Sequence, residues 1–474
     1  MPDFSQLERD LAAARGLLER DPSAVHFIGI GGIGMAGLAR LLAARGFIVS
    51  GCDVAPTRIT DWLLSHSITV HFGQDTEHVT ADIAWLVRTP AVAADTAEVQ
   101  AATSRGLPVL ARGVVLAALL REFPLSIAVA GTHGKTTTTA MIAQLLKATG
   151  HDPAFAIGGV VEALGGVAGV GQGTTVVVEA DESDGTLALY APDIAVITNI
   201  EFDHMEHFYG EGELFDCFRR FARQARRLIF CADDPRAAAL GNTGLSFGFS
   251  SAAELRAEHI ELAALASSFD VLWRGEKLGR VRLPVPGRHN ILNALAACAV
   301  GLELFPRLGK PVTALFQGLE SFSPARRRFE IVSDAADILV ISDYAHHPTE
   351  ICALVAAARG LGRRRVVAVF QPHRYTRTRA LGADFPGAFV GVDEVVLTPV
   401  YAASEPPLAG GTSADLARHF EQSGGLRPRE VASLEAAWNY LRGFLQPGDA
   451  LLVVGAGDVE KIAFWAKEFY GEKV

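Results

Sequence analysis

The chain has 474 residues, 49% of them hydrophobic and 20% charged, an ordinary composition for a soluble globular protein with room for two to four domains. Its formal net charge of −10 argues against a general nucleic-acid binder. Five scattered cysteines (Cys52, Cys217, Cys231, Cys298, Cys352), with no Cys-x-x-Cys pair, form neither a disulfide framework nor a zinc motif and suit reduced thiols. Charges at Asp3, Glu8, Arg9 and Asp10 leave no signal-peptide core, and no uncharged apolar run spans a bilayer. The expectation is a cytoplasmic protein without membrane insertion.

Leu7, Leu11, Leu17 and Leu18 stand at helical spacing, which predicts a short amphipathic helix over 5–20. A strand over 24–30, a helix to Arg45 and a strand over 48–51 follow. Between the first two lies Gly29-Ile30-Gly31-Gly32-Ile33-Gly34, with Asp53 about twenty residues on. That fits a dinucleotide fingerprint, in which glycines let the backbone approach a pyrophosphate and the acid takes a ribose. The pattern alone is compatible with an NAD-dependent oxidoreductase, with another nucleotide diphosphate, or with a turn that serves packing only. Strands and helices alternate to Glu122-Phe123-Pro124, which breaks the pattern.

A second alternating stretch opens with a strand over 126–130 and runs to Pro286. Its first loop is Ala130-Gly131-Thr132-His133-Gly134-Lys135-Thr136-Thr137. Glycines there let backbone N–H groups close on phosphate oxygens, Lys135 meets the outer phosphates and the Thr136 hydroxyl holds Mg²⁺. Val129 stands where the usual motif has its first glycine. Apolar runs over 174–179, 194–199 and 228–232 suit parallel strands covered on both faces. The first leads into Glu179-Ala180-Asp181-Glu182-Ser183-Asp184 and the second into Thr198-Asn199-Ile200-Glu201-Phe202-Asp203-His204. Acids at strand ends beside a phosphate loop are placed to hold Mg²⁺, a solvated turn and a packing histidine being the plainer readings. Gly287-Arg288-His289-Asn290 starts a long Ala-rich helix through Leu304.

The third block has strands over 338–342, 365–370, 394–398 and 450–455. After the first stands Asp343-Tyr344-Ala345-His346-His347-Pro348-Thr349-Glu350, either a functional cluster or a capped turn opening a helix at Pro348. Adjacent histidines do not share one face, which disfavours a zinc site. After the second come Arg374, Arg377 and Arg379, able to clamp a carboxylate or phosphate, or else a solvated basic loop. Arg326, Arg327 and Arg328 mark the junction with the block before. The fold class is α/β in three domains: a Rossmann-like domain over 1–123, a central P-loop-type mononucleotide-binding domain over 124–324 and a Rossmann-like domain over 325–474.

In order, Gly-Ile-Gly-Gly-Ile-Gly-Met, Gly-Thr-His-Gly-Lys-Thr-Thr-Thr-Thr, Glu-Ala-Asp-Glu-Ser-Asp, Asn-Ile-Glu-Phe-Asp-His-Met, Pro-Gly-Arg-His-Asn and Asp-Tyr-Ala-His-His-Pro-Thr-Glu resemble the Mur ligase family from about residue 24 to 465. The resemblance implies an ATP-dependent ligase of peptidoglycan precursor synthesis that forms an amide bond through an acyl phosphate. His346-His347-Pro348-Thr349-Glu350 and Gln371-Pro372-His373-Arg374 are similar to members that join L-alanine to UDP-N-acetylmuramate, and the Asp-Asn-Pro-Arg of diaminopimelate-adding members is absent. A member that recycles a muramate tripeptide is the alternative.

The resemblance assigns the UDP sugar to Gly29, Gly31, Gly32, Gly34, Met35 and Asp53, with Glu182, Ser183 and Asp184. It assigns ATP to Gly131, Thr132, His133, Gly134, Lys135, Thr136 and Thr137, with Asn290 and Asn293 at the adenine and Arg327 on a phosphate. Magnesium falls to Thr136, Glu179 and His204, and the amino acid to Asp343, Tyr344, His346, His347, Arg374 and Arg377. Lys135, Glu179, His204, Arg327 and His347 are the implied catalytic set. The chain departs from the family at Arg88-Thr89-Pro90, where members carry a serine pair, and at Arg112-Gly113-Val114-Val115, where they carry Arg-Ala-Glu-Met. Asp216-Cys217-Phe218-Arg219 holds no lysine for the carbamylated lysine of several relatives, a pattern that the alanine-adding members share.

Overall fold

The computed structural model describes residues 4–93, 95–205, 207–241, 243–309 and 311–471, and in it three sheets follow one another along the chain. The first is parallel throughout, in the spatial order Thr69–Phe72, Ile48–Asp53, Ala24–Ile28, Ile83–Arg88, Val109–Ala111. This is doubly wound, with its switch point beside the central strand, where such sheets bind ligands. Ala24–Ile28 is buried along its whole length, as a central parallel strand covered on both faces must be.

The second sheet has a parallel centre in the order Leu245–Gly248, Arg227–Cys231, Ile194–Ile197, Leu125–Ala130, Thr175–Glu179, Ala154–Val161. Gly166–Gly169 adds an antiparallel strand at one edge. At the other edge Leu255–Ala263, Ala266–Trp273 and Glu276–Leu283 form an antiparallel meander. That meander corrects the expectation of strand–helix alternation as far as Pro286. Its second hairpin turns on Arg274 (φ 51°) and Gly275 (φ 89°), the left-handed pair that matches strand twist in a two-residue loop. Helix Lys135–Ala148 packs on helix Arg288–Leu308, so the phosphate loop and the asparagines of the second helix lie side by side.

The third sheet runs Glu330–Ala335, Ile338–Asp343, Asp449–Val454, Arg365–Phe370, Glu394–Leu397, Arg429–Glu430, parallel except for its first strand. It has its own apolar cluster on each face. The first two sheets instead share one cluster, in which Phe27 and Val87 join Val176, Tyr190 and Phe218. The N-terminal helix, Phe4–Leu18, packs on Arg112–Leu120, and the Arg220 guanidinium lies 3.9 Å from the Phe4 ring centroid. It therefore clasps the first two sheets together. Among the described residues no helix is long and apolar enough to cross a membrane.

Candidate active site

Strand Leu125–Ala130 breaks at Gly131 (φ 138°) and turns through Gly134 (φ 83°) into helix Lys135–Ala148. A Cβ on Gly131 would collide with Thr198 Oγ1, and one on Gly134 would lie 2.5 Å from Asn293 Oδ1, so the loop needs glycine for both dihedral and space. The next strand end fixes its shape. Asn199 accepts the His133 N–H (2.8 Å) and donates to the His133 carbonyl (3.0 Å), and Thr198 Oγ1 donates to the same carbonyl (2.6 Å). Thr132 Oγ1 accepts the Glu201 N–H at 2.8 Å. Neither Thr198 nor Asn199 was among the expected site residues, although the polar strand end that contains them was visible.

Lys135 Nζ donates to the carbonyls of Gly131 (2.6 Å) and Thr132 (3.2 Å) and to Glu182 Oε1 (2.8 Å). Burial alone would lower the lysine pKa, but Glu182, Asp181 and Glu179 outweigh it and keep the ammonium charged. Glu182 is 1% exposed, and its Oε2 has no hydrogen-bond partner among the described residues. Thr136, Glu179 and His204 line the same cleft. Glu179 Oε2 accepts the Gly158 N–H at 2.7 Å, and His204 Nε2 lies 3.6 Å from Glu182. Hydroxyl, carboxylates and a half-satisfied buried acid make an oxygen-rich set that suits a hard divalent cation beside phosphates.

Across the cleft Gly32, Gly34 and Met35 face this set, together with Ser183 and Asp184. Gly29, Gly31 and Asp53 are not among its walls. Asp53 Oδ2 accepts the Gly31 N–H at 2.7 Å and Oδ1 accepts its neighbour Val54 N–H at 2.8 Å, so this acid braces the glycine loop. Glu182, grouped with Ser183 and Asp184 by the resemblance, instead faces Lys135. Arg112 bridges the two sides: its guanidinium donates to Asp181 Oδ2 at 2.9 Å, and a Cβ on Gly34 would meet it at 2.6 Å. Burial pushes the Asp181 pKa up, but Arg112, Lys135 and His204 together drive it below the carboxylate range.

Beside the phosphate loop lies a second cavity of about 240 Å³, with Phe247, Leu292 and Phe322 as apolar walls and Thr137, Asn290 and Asn293 as polar ones. Asn293 Nδ2 donates to Asn290 Oδ1 (3.3 Å), and Asn290 Nδ2 donates to the Pro286 carbonyl (2.7 Å). An apolar slot with oriented amides is suited to a flat, hydrogen-bonding base.

From the third domain, His347 caps helix Pro348–Arg359 in a capping box with Glu350, so the plain reading of that turn applies, but the same residues also reach across the cleft. His133 lies 3.3 Å from both Glu201 and Glu350, its ring 4.6 Å from that of His347. Burial would lower the His133 pKa, yet hydrogen bonds to Glu201 and Glu350 raise it to about 9. The Glu201 carboxyl, pushed up by burial, is drawn down to about 2 by His133, Thr349 and His347. A protonated His133 between two carboxylates explains this cluster without a metal. Arg377 forms a fork to Asp203 (Nε–Oδ1 3.1 Å, Nη2–Oδ2 3.0 Å) with both side chains buried. His346 Nδ1–H donates to the Tyr344 carbonyl (3.0 Å), and burial lowers its pKa to about 4. His346, Tyr344, Arg374 and Arg377 line the cleft, where Arg374 meets Glu405 at 3.4 Å.

Two expected site residues make other contacts in this structure. Asp343 accepts backbone N–H groups of Phe329 (2.7 Å) and Ala345 (2.8 Å), one on each carboxylate oxygen, and so ties down the interdomain junction. Arg327, at φ 58°, turns its guanidinium to the carbonyls of Gly455 and Gly457 within the third domain. Its neighbour Arg328 is the one that approaches the phosphate loop, 3.5 Å from Thr136 Oγ1.

The cleft therefore defines a three-domain α/β enzyme, with a phosphate loop facing a glycine-loop domain on one side and the third domain on the other. The chain belongs to the Mur ligase family. It matches that family's catalytic domain over 24–124, the Mur ligase middle domain over 129–301 and the Mur ligase glutamate ligase domain over 327–457. A UDP-N-acetylmuramate–L-alanine ligase of Carboxydothermus hydrogenoformans is 40% identical over 453 residues, 93% of this chain and 95% of that one. The enzyme of the same name from Symbiobacterium thermophilum is 42% identical over 455 residues, 93% of each chain. The crystal structure of UDP-N-acetylmuramate-alanine ligase from Thermotoga maritima superposes with a TM-score of 0.82 at 29% identity, covering 95% of this chain and 100% of that one.

Proposed function

We propose that the chain joins UDP-N-acetylmuramate to L-alanine at the expense of ATP, in peptidoglycan precursor synthesis. What supports this is one cleft of about 870 Å³ in which Gly32 and Gly34, Lys135 and Glu179, and His346 and Arg374 face one another from three domains. The two relatives aligned over more than nine-tenths of the chain carry that name.

The muramoyl carboxylate attacks the γ-phosphorus of ATP and ADP leaves; the amine of L-alanine then attacks the acyl phosphate, phosphate departs and the amine loses a proton. Phosphorylation comes first because a carboxylate is a poor acyl donor. Gly131 to Thr137 cradle the phosphates, and Lys135 exchanges the Gly131 carbonyl for the γ-phosphate oxygens as charge develops there. The cavity at Asn290 and Asn293 takes the adenine. Mg²⁺, held by Thr136, Glu179 and His204, would supply further charge neutralisation. Gly32, Gly34 and Arg112 receive the diphosphate of the sugar nucleotide, and His346 and Arg374 orient the amino acid. Catalysis rests on positioning, with no covalent enzyme intermediate. Use of ATP fits a cytoplasmic location.

The test is phosphate release from ATP with UDP-N-acetylmuramate and, in turn, L-alanine, glycine, L-serine, D-glutamate and L-Ala-γ-D-Glu-diaminopimelate. Release should be strongest with L-alanine and fall by about 10³-fold or more in Lys135→Ala, since electrostatic stabilisers of this kind contribute several kcal/mol. Release with the tripeptide alone would make the protein a recycling ligase, and none with any acceptor would overturn the reading.

A further inference from the structure

The first domain gathers a set of buried and half-buried donors that the proposed ligation does not use. His26 and Cys52 lie on neighbouring strands Ala24–Ile28 and Ile48–Asp53, with His71 on the next, Thr69–Phe72. His78 ends the short turn Thr76–His78, and Glu98 opens helix Ala97–Ser104 above them. Cys52 Sγ is 3.4 Å and His78 Nδ1 is 3.3 Å from Glu98 Oε1. Donor atoms of Cys52, His78 and Glu98 all lie within 4.8 Å of one another. Around a tetrahedral ion with bonds near 2.0 Å to nitrogen or oxygen and 2.3 Å to sulfur, adjacent ligands stand roughly 3.3–3.5 Å apart. Two edges of the cluster already have that length.

A second observation points the same way. Glu98 and His26 are both 0% exposed, and among the described residues Glu98 Oε2 and His26 Nε2 have no hydrogen-bond partner. A buried carboxylate oxygen and a buried ring nitrogen left unpaired are each costly unless an electrophile reaches them. The His71 and His78 rings stack at 4.8 Å, and the His26 ring is 6.3 Å from each.

We propose that Cys52, His78 and Glu98 hold a divalent ion of the zinc type, with the fourth position filled by an imidazole of His26 or His71. Mixed sulfur, nitrogen and oxygen donors select a borderline metal over magnesium or calcium. The Cys52 thiol passes its proton to solvent as the metal–sulfur bond forms. The ion also braces the glycine loop, because the Cys52 carbonyl accepts the N–H groups of Gly29 (2.9 Å) and Ile30 (3.0 Å). Four donors from four separate elements leave no spacing motif, which is why the cysteine pattern of the sequence gave no hint of zinc.

The experiment uses the full chain, stripped with chelator, with Mg²⁺ and ADP present in excess to fill the phosphate site, and titrates Co²⁺ and then Zn²⁺. One equivalent of Co²⁺ should give a thiolate-to-cobalt charge-transfer band in the near ultraviolet, bleached by one equivalent of Zn²⁺. Cys52→Ser should lose the band, and His78→Gln should keep it with affinity weakened by about 10-fold or more. Should the serine variant fold poorly, the wild type decides alone, by whether Zn²⁺ raises its Tm. No band and no Zn²⁺-dependent rise in Tm in the wild type, or an undiminished band in a folded Cys52→Ser, overturns the proposal.

Discussion

Two adjacent arginines at the junction of the second and third domains have opposite tasks. Arg327 spends its guanidinium on the carbonyls of Gly455 and Gly457 and stands 5.0 Å from the Tyr344 ring, which fixes the third domain's own loops. Arg328 also lies over that ring, at 5.4 Å, but reaches Thr136 Oγ1 and comes within 3.9 Å of Glu350. Loss of a charge-assisted contact costs about 1.5–3 kcal/mol, or roughly 10- to 150-fold in a rate or binding constant. Arg328→Ala should therefore lower kcat/KM for ATP by that range with Tm nearly unchanged. Arg327→Ala should lower Tm first and change kcat/KM less. Steady-state phosphate release paired with thermal melts separates the two, and a larger kinetic loss in Arg327→Ala at unchanged Tm would reverse the assignment. The same contrast shows what sequence could reveal at this scale. Three consecutive arginines suggested a contact at the interdomain junction, but which one turns toward the phosphate loop depends on a positive φ at Arg327 that no residue type dictates.

Among the elements, helix Arg112–Leu120 connects the first two domains at its N-terminal end. Its first residue pairs with Asp181, its buried face packs on Phe4–Leu18, and Gly113 lies so close to Thr186 that a Cβ would collide with the Thr186 hydroxyl. The departure from the family at Arg112-Gly113 thus has a physical reason: here the helix approaches the turn Thr186–Leu189 as closely as glycine permits. Gly113→Ala should cost about 1–3 kcal/mol by overpacking, less a gain in helix propensity of up to about 1 kcal/mol, and so lower Tm by roughly 2–8 °C. Adding Thr186→Ala should restore most of the loss, and a failure of the double variant to recover in a thermal melt would refute the contact. The strands that bear the site were legible because continuous apolar runs ending in glycine or acid have few other structural solutions. The meander over Leu255–Ala263 to Glu276–Leu283 was not, since its two outer strands are largely exposed and carry little apolar signal. Nor could sequence pair Arg112 with Asp181 or gather His26, Cys52 and Glu98, contacts set by tertiary packing rather than by local pattern.

At the scale of the molecule, the first two domains are joined by an apolar core, whereas the site side of the third domain is held to the second by charge. The Arg377–Asp203 fork is buried on both sides, and removing one partner of such a pair leaves an uncompensated charge at a cost of about 3–5 kcal/mol. Arg377→Ala and Asp203→Asn should each loosen the third domain, and the double variant should cost much less than their sum, as measured by the chain's radius of gyration in scattering. Arg377→Lys keeps the charge but not the fork, and should rescue only in part.

His133 makes this docking pH-dependent. Its value in the assembled cleft, about 9, lies above the ordinary 6.5, so its contribution is complete below pH 6.5 and disappears as pH rises through 9. Glu201 works in the opposite sense: its value of about 2 lies below the ordinary 4.5, so its contribution is present above pH 4.5 and lost as pH falls through 2. Docking should therefore be tightest between about pH 4.5 and 6.5, and scattering at rising pH should show expansion between 7 and 9.5. His133→Gln removes the titrating group while leaving the backbone bonds to Asn199 in place, and should flatten that alkaline expansion without abolishing the Arg377–Asp203 contact. A variant that expanded over the same pH range as the wild type would place the alkaline transition elsewhere, and the cluster of His133, Glu201 and Glu350 would then be a fixed support rather than the titrating half of the latch.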